Sequence, residues 1–198
     1  PANIGDIPDA VPEAVEKSRY GNPDSYEVFG KRYDVLSDTR GFRERGHASW
    51  YGKKFHGRKT ANGERYDMFK MTAAHPTLPI PSYARVTNLR NGKQVIVRIN
   101  DRGPFHASRI IDMSYTAALK LGFIQIGSTE LEVERILPDE IVRMQEDKRR
   151  KGAPPGWKPR PRVEEVNDAQ RLVSGRFGCG FFSAYDAMGG PLSMVKWR

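Results

Sequence analysis

Four carboxylates in the middle of this 198-residue chain sit where polar or glycine-containing junctions interrupt apolar sequence. Glu64 and Asp67 lie in Thr60-Ala61-Asn62-Gly63-Glu64-Arg65-Tyr66-Asp67, Asp101 in Asn100-Asp101-Arg102-Gly103-Pro104-Phe105, and Asp112 in Arg109-Ile110-Ile111-Asp112-Met113-Ser114. Junctions of this kind commonly carry function. A carboxyl that donates a proton needs a raised pKa, supplied by apolar walls or by a second carboxylate. Asp101 shares strand parity with Val95, Val97 and Ile99, so a regular strand brings it out at the rim of an apolar face, which favours its protonated form. Each acid also has a plainer reading. Asp101 can close a strand end through an Asx turn with Arg102 neutralising it. Asp112, two residues before Ser114, suits a helix N-terminus. Glu64 can be an exposed loop acid, and Asp67 is assigned to that role.

The four histidines, His47, His56, His75 and His106, are spaced by 9, 19 and 31 residues, which matches no helical or short-loop ligand pair and argues against a metal site. His75, between Ala73-Ala74 and Pro76, reads either as a buried ring hydrogen-bonded to a carboxylate or as a satisfied core histidine. Trp50, Tyr51 and Phe55 precede the Glu64 junction and Phe105 follows Asp101. Flat rings beside acids and arginines suit a sugar-binding groove, because pyranose C–H faces pack on them while hydroxyls find charged partners. Core packing explains the same rings equally well. The segment from Gly57 to Gly63 lacks the spacing and lysine of a phosphate loop. The one cysteine, Cys179, has no histidine context for a nucleophile and excludes an internal disulfide.

Several elements must position these groups. Residues 1–45, broken by Gly5, Pro8, Pro12, Gly21, Pro23 and Gly30, read as an extended arm, ordered locally by Tyr26, Val28, Phe29 and Tyr33 packing on the main domain. Tyr83–Leu89 and Lys93–Asn100 read as strands of a hairpin, with Asn91-Gly92 as a type I′ turn. Thr129–Ile136 alternates Glu130, Glu132 and Glu134 with Leu131 and Val133, the pattern of a half-buried strand with an acidic solvent face. Ser114 caps a short helix that ends at Gly122. Asp139–Lys151 is helical and frays into Lys148-Arg149-Arg150-Lys151. A proline-rich linker reaches about residue 162, and 163–198 is a tail without clear period.

The formal charge of +9 is uneven: residues 1–45, 46–136 and 137–198 carry nets of −2, +7 and +4. The excess lies on the segment with the best strand patterning, so an anionic polymer is the natural partner. Nucleic acid, an acidic glycan and a membrane face all qualify on charge alone. No stretch approaches the roughly 20 apolar residues of a membrane span.

Seven ordered blocks carry a more specific signal: Gly46-His47-Ala48-Ser49-Trp50-Tyr51-Gly52, Phe55-His56-Gly57, Thr60-Ala61-Asn62-Gly63-Glu64, Thr72-Ala73-Ala74-His75, Thr77-Leu78-Pro79, Asn100 to Phe105 and Arg109 to Ser114. Together, over about residues 46–136, they closely resemble the rare lipoprotein A (RlpA) family. Gly21-Asn22-Pro23 and Tyr26-Glu27-Val28-Phe29-Gly30 resemble that family's leader. The resemblance implies a mainly β fold, a six-stranded double-psi β-barrel with short helices and extended N- and C-terminal arms. It also implies a periplasmic protein held at the outer membrane by an N-terminal lipidated cysteine, with divisome proteins or cell-wall amidases as partners.

The activity so implied is that of a lytic transglycosylase cutting peptidoglycan glycan strands stripped of stem peptides, with no cofactor. The family's functional positions fall on Glu64, His75 and Asp101, whereas related double-psi barrels place an essential aspartate in the block like Ile111-Asp112-Met113. Asp101 and Asp112 therefore compete for the acid role. Trp50, Tyr51, Phe55, Asn62, Arg102 and Phe105 are the substrate-binding candidates. The chain departs from the family in Pro76, in the absence of a lipid-anchor cysteine, and in a tail unlike the glycan-binding SPOR module. A non-catalytic, expansin-like glycan binder is the competing reading; a nucleic-acid binder lacks any helix-turn-helix or stacking-sheet signature.

Overall fold

The computed structural model describes residues 3–106 and 108–152. The proline-rich linker from residue 153, the tail and Cys179 lie outside the described residues. Among the described residues, those up to 145 belong to one compact unit.

Six strands close into a barrel: β3 (Arg43–Tyr51), β4 (Thr72–Ala74), β5 (Ser82–Asn88), β6 (Gln94–Asp101), β7 (Arg109–Ser114) and β8 (Ser128–Ile136), in the order β3-β7-β4-β6-β5-β8. β3 runs parallel to β7 and β4 parallel to β6, while every other neighbour is antiparallel. This mixed, closed sheet is the double-psi β-barrel. Val86, Val97, Ile99, Ile111, Met113, Leu131 and Val133 are fully buried. Each such side chain contributes about 1.5–3 kcal/mol of apolar burial. Strand alternation follows from this interior, since β-branched residues at every second position share one face.

The helix α1 (Tyr115–Leu121) is capped by Ser114, whose hydroxyl accepts from the Ala117 N–H, and Gly122 ends it in the left-handed region at φ 78°. Asn88 and Asn91 side chains both donate to the Leu121 carbonyl, which ties the β5–β6 hairpin to the helix end. Asn91-Gly92 differs from the expected type I′ turn. Only Gly92 has positive φ, and Asn88 pairs its backbone with Lys93 across a four-residue loop. The second helix, α2 (Pro138–Lys151), stays regular to the end of its basic run, contrary to the expected fraying. Lysines and arginines in a last turn favour the helix dipole. Among the described residues no helix is long and apolar enough to cross a membrane.

The glutamates of β8 correct a second expectation. Glu132 and Glu134 do not simply face solvent: Arg43, Arg45 and Arg85 from the flanking strands pair with them at 2.5–3.7 Å. The N-terminal region is also more structured than an extended arm. β1 (Ser25–Val28) and β2 (Lys31–Asp34) form an antiparallel hairpin whose turn has positive φ at Phe29 (52°) and Gly30 (74°). Tyr26 and Tyr33 stack at 5.3 Å and both meet Phe105 edge-on, while Tyr26 donates to the Pro76 carbonyl at 2.6 Å. Phe29 takes no part in this packing and is 92% exposed.

Candidate active site

Two β-bulges build the site. Opposite β4, Ala73 pairs with Ile99 but Ala74 pairs with Asp101, so Asn100 is an extra residue. Opposite β3, His47 pairs with Arg109 but Ala48 pairs with Ile111, so Ile110 is the extra one. A bulge bends its strand and re-aims the residues after it. β6 is therefore not the regular strand that the parity of Asp101 assumed. The carboxylate reaches a cleft all the same, through the bulge. Asp112, two residues past the second bulge, belongs to β7 and not to the first turn of α1, so a helix-dipole role is excluded by its position.

Both aspartates line one cleft of about 370 Å³, together with Trp50, Tyr51, Phe55, Ala74 and Phe105. Asp101 Oδ1 accepts the N–H groups of Ala61 and Arg102, each at 2.8 Å, and Oδ2 has no protein partner among the described residues. Burial raises the Asp101 pKa, against the pull of those two N–H donors and of Arg102. Burial also raises that of Asp112, opposed by the Ser49 hydroxyl, which donates to Oδ1 at 2.7 Å, and by Arg109 at 3.3 Å. The site thus holds two carboxyls displaced toward the protonated form by the low polarity of their surroundings.

The aromatic walls are fixed. The Tyr51 ring stacks on Tyr66 at 4.1 Å, and the Tyr66 hydroxyl donates to the Tyr51 carbonyl at 2.5 Å. The Tyr51 hydroxyl is buried with no hydrogen-bond partner among the described residues. Burial raises its pKa first of all, with the charges of Tyr66, Asp101 and Asp112 adding to the rise. Trp50 meets Tyr115 edge-on at 5.7 Å, and Lys54 and Arg58 lie over the Phe55 ring at 5.1 and 5.8 Å.

Arg102 reaches the cleft only with part of its side chain. Its guanidinium donates to the carbonyls of Gly21, His75 and Leu78 and to Asn22, so it clamps the 21–22 and 75–78 loops together and leaves Asp101 without a direct ion pair among the described residues. Neutralisation of Asp101 by an Arg102 pair is thereby corrected.

Glu64, His75 and Asn62 are elsewhere. Glu64 lines a separate cavity of about 680 Å³ and pairs with Arg98 at 2.6 Å, which with Asn100 lowers its pKa to about 2. The rise at Asp101 has burial as its cause, not Glu64. His75 has no exposed surface. Its Nδ1 accepts from the N–H groups of Thr77 and Leu78, which leaves Nε2 to donate to Glu44 at 3.2 Å, and its backbone N–H donates to the Asp101 carbonyl at 3.1 Å. Burial lowers its pKa and keeps the ring neutral. Asn62 accepts from Thr60 and from the Glu64 N–H, an Asx turn that shapes the junction delivering Ala61 to Asp101. Ser49 and Arg109 are site residues that carboxylate-centred reading passed over. Both lie inside blocks of the sequence pattern; the β3–β7 register brings Ser49 to Asp112, and Arg109 meets it along β7 across the bulge at Ile110.

Residues 43–133 match the family described as lytic transglycolase. The chain is 54% identical over 140 residues to the endolytic peptidoglycan transglycosylase RlpA of Vibrio cholerae, covering 71% of this chain and 53% of that protein. The proteins of the same name from Pseudomonas aeruginosa and Neisseria meningitidis are 57% identical over 136 residues and 56% over 140. Those matches cover 69% and 71% of this chain, and 39% and 58% of the relatives. The chain therefore spans about half the length of the curated relatives it matches. At this degree of identity, the barrel of this chain is that of the rare lipoprotein A (RlpA) family.

Proposed function

We propose that this protein is a peptidoglycan lytic transglycosylase, cutting the β-1,4 bond between N-acetylmuramic acid and N-acetylglucosamine in peptide-poor strands. The observation that carries this reading is the pairing of Asp101 and Asp112, both shifted by burial toward protonation, in one aromatic-walled cleft of a transglycosylase-family barrel. Asp101 is the proton donor. Its Oδ1 is held by two backbone N–H groups, while among the described residues its second oxygen is uncommitted and no cation pairs with it. It protonates the departing O4 as the C1–O4 bond breaks. The resulting carboxylate then takes the proton from the muramic C6 hydroxyl, whose oxygen closes on C1 to give a 1,6-anhydro end and restore the acid. Water is not consumed. Asp112, held by Ser49 and Arg109, orients the sugar. Glu64 acts through the 60–64 turn and His75 through the Asp101 backbone, both as positioning residues.

Such a substrate places the protein outside the cytoplasm, at the cell wall. We infer a periplasmic setting with attachment to the outer membrane through a lipidated leader, and work alongside the divisome and the amidases that strip stem peptides. The decisive experiment incubates the protein with amidase-treated sacculi and assays the products by mass spectrometry. Anhydromuramic ends, absent with Asp101→Asn, support the assignment; strand binding without any such ends would leave a non-catalytic wall binder.

A further inference from the structure

A second cavity of about 410 Å³ adjoins the Asp101–Asp112 cleft, and the two share Pro104 and Arg109 in their walls. Its far side is the β1–β2 hairpin, presenting Lys31, Tyr33 and Asp34, and its floor includes Pro76. The hairpin is not a loose flap: the Tyr26–Tyr33–Phe105 cluster and the Tyr26 hydrogen bond to Pro76 hold it beside the barrel. The cavity thus has a built wall, with ring and proline surfaces suited to the C–H face of a sugar.

Its charges are unequal in commitment. Arg32 engages Asp34 at 2.9 Å, and Glu44 faces the buried His75 ring at 3.2 Å, so both acids have protein partners. Lys31 lies over the Tyr33 ring at 5.1 Å and forms no ion pair among the described residues. Arg109 is committed at one end only. Its Nη1 meets Ser49 and Asp112, while Nε is enclosed without a partner and the side chain is 32% exposed. A planar guanidinium pinned by one nitrogen, at the junction of two cavities, is suited to receive a carboxylate on its remaining donors.

We propose that this second cavity is a subsite for a carboxylate-bearing sugar, whose acid group is received by Arg109 and Lys31. The proposal rests on the glycan-cleaving reading above and adds to it a chemical selector. A muramic residue whose lactyl group is free carries that carboxylate; one still amide-linked to a peptide does not. Because Arg109 also touches Asp112, the acid group of one sugar is sensed next to the carboxyls that face the neighbouring linkage. Selection for bare strands then resides in one arginine and one hairpin lysine, separate from the proton-transferring group.

The test uses peptide-free glycan strands in two forms, with lactyl carboxylates free and with the same groups converted to carboxamides. Binding is followed by co-sedimentation and cleavage by release of anhydromuramic ends. The wild-type protein is expected to favour the acid form roughly tenfold, the range of a charge-assisted hydrogen bond. Arg109→Gln should bring the ratio close to one, Arg109→Lys should keep part of it, and Lys31→Gln, on an exposed hairpin, should lower it without disturbing the fold. Equal binding of both strands by the wild-type protein, or a ratio that survives Arg109→Gln and Lys31→Gln, would overturn the subsite. Failure of the catalytic reading is distinct: neither strand would yield anhydro ends, while the binding ratio would still report on Arg109 and Lys31.

Discussion

Asp101 and Asp112 face the same residue from opposite sides: Ala74 of β4 is the register partner of Asp101 on β6 and of Asp112 on β7. Two strand spacings place their Cα atoms on the order of 10 Å apart, and the methyl group between them leaves the cleft floor open. Ala74→Leu should fill that floor. The barrel should tolerate the change at a cost of about 1–3 kcal/mol, while anhydromuramic product falls at least tenfold through weakened strand binding. Melting temperature and strand co-sedimentation, measured on the same preparation, separate the two effects.

Asp101→Asn keeps an oxygen to accept from Ala61 and Arg102 but cannot give a proton. Cleavage should drop by about 10²–10⁴-fold, the usual contribution of a general acid. Stability should move the other way. A carboxyl whose folded pKa is raised helps folding fully below its ordinary value near 3.8 and loses that contribution as pH rises through the folded value. Above the folded value the ionised, buried Asp101 opposes folding, and there Asp101→Asn should melt no lower than wild type. Asp101→Ala should melt lower, because two N–H groups lose their acceptor. A wild-type cleavage rate that declines toward alkaline pH, with its limb at the Asp101 ionisation, completes the pattern.

His75 was legible in the sequence as a residue that mattered, between two alanines and a proline, but the direction of its ring was not. Whether it faced the cleft or the core depended on the turn through Thr77 and Leu78, whose N–H groups take Nδ1. His75→Ala should cost about 2–5 kcal/mol, from the cavity and the two orphaned donors. Since burial holds its pKa below 6.5, its contribution is present above that pH and is lost as the pH falls. A wild-type melting temperature that drops below pH 6.5, with a shallower drop in His75→Gln, checks the sign.

Individual strands and the helix were legible because their evidence is local: Val95, Val97 and Ile99 alternate, Ser114 caps, and Gly122 stops, whereas the closed barrel was expected only from the family resemblance. Asp101, Asp112 and the rings of Trp50, Tyr51, Phe55 and Phe105 were found by residue type beside a junction, and the fold gathers them. What the sequence did not disclose depends on partners far along the chain. The bulges at Asn100 and Ile110 exist only against β4 and β3. Glu64 looked like a member of the acid set until its partner Arg98, 34 residues away, drew it to another cavity. Arg102 looked like a ligand for sugar or for Asp101, yet four acceptors from the 21–22 and 75–78 loops occupy its guanidinium.

That clamp yields a prediction for Arg102. Replacing it with Gln removes hydrogen bonds from a cation to three carbonyls and should cost about 2–4 kcal/mol. Because the loops it joins deliver the Asp101 backbone, cleavage should fall with stability, and both should recover partly at low temperature. Strand affinity measured well below the melting point should change less than twofold, in contrast to Arg109→Gln.

Charge supplies the last test. The +7 of residues 46–136 overstates what a glycan meets, because Lys120 is paired with Asp9, outside that segment, and the Arg102 and Arg135 side chains are turned to backbone carbonyls of the fold. Near the cleft mouth, Lys54 and Arg58 over the Phe55 ring form no ion pair among the described residues. A bare strand carries its carboxylates once per disaccharide, far more sparsely than the phosphates of a duplex. Binding should therefore weaken only several-fold between 50 and 200 mM salt, against the roughly 10³–10⁵ of a duplex binder making many phosphate contacts. The double variant Lys54→Gln/Arg58→Gln should bind more weakly at low salt and converge with wild type at high salt. Parallel salt curves for the two proteins would place the electrostatic contact elsewhere on the barrel.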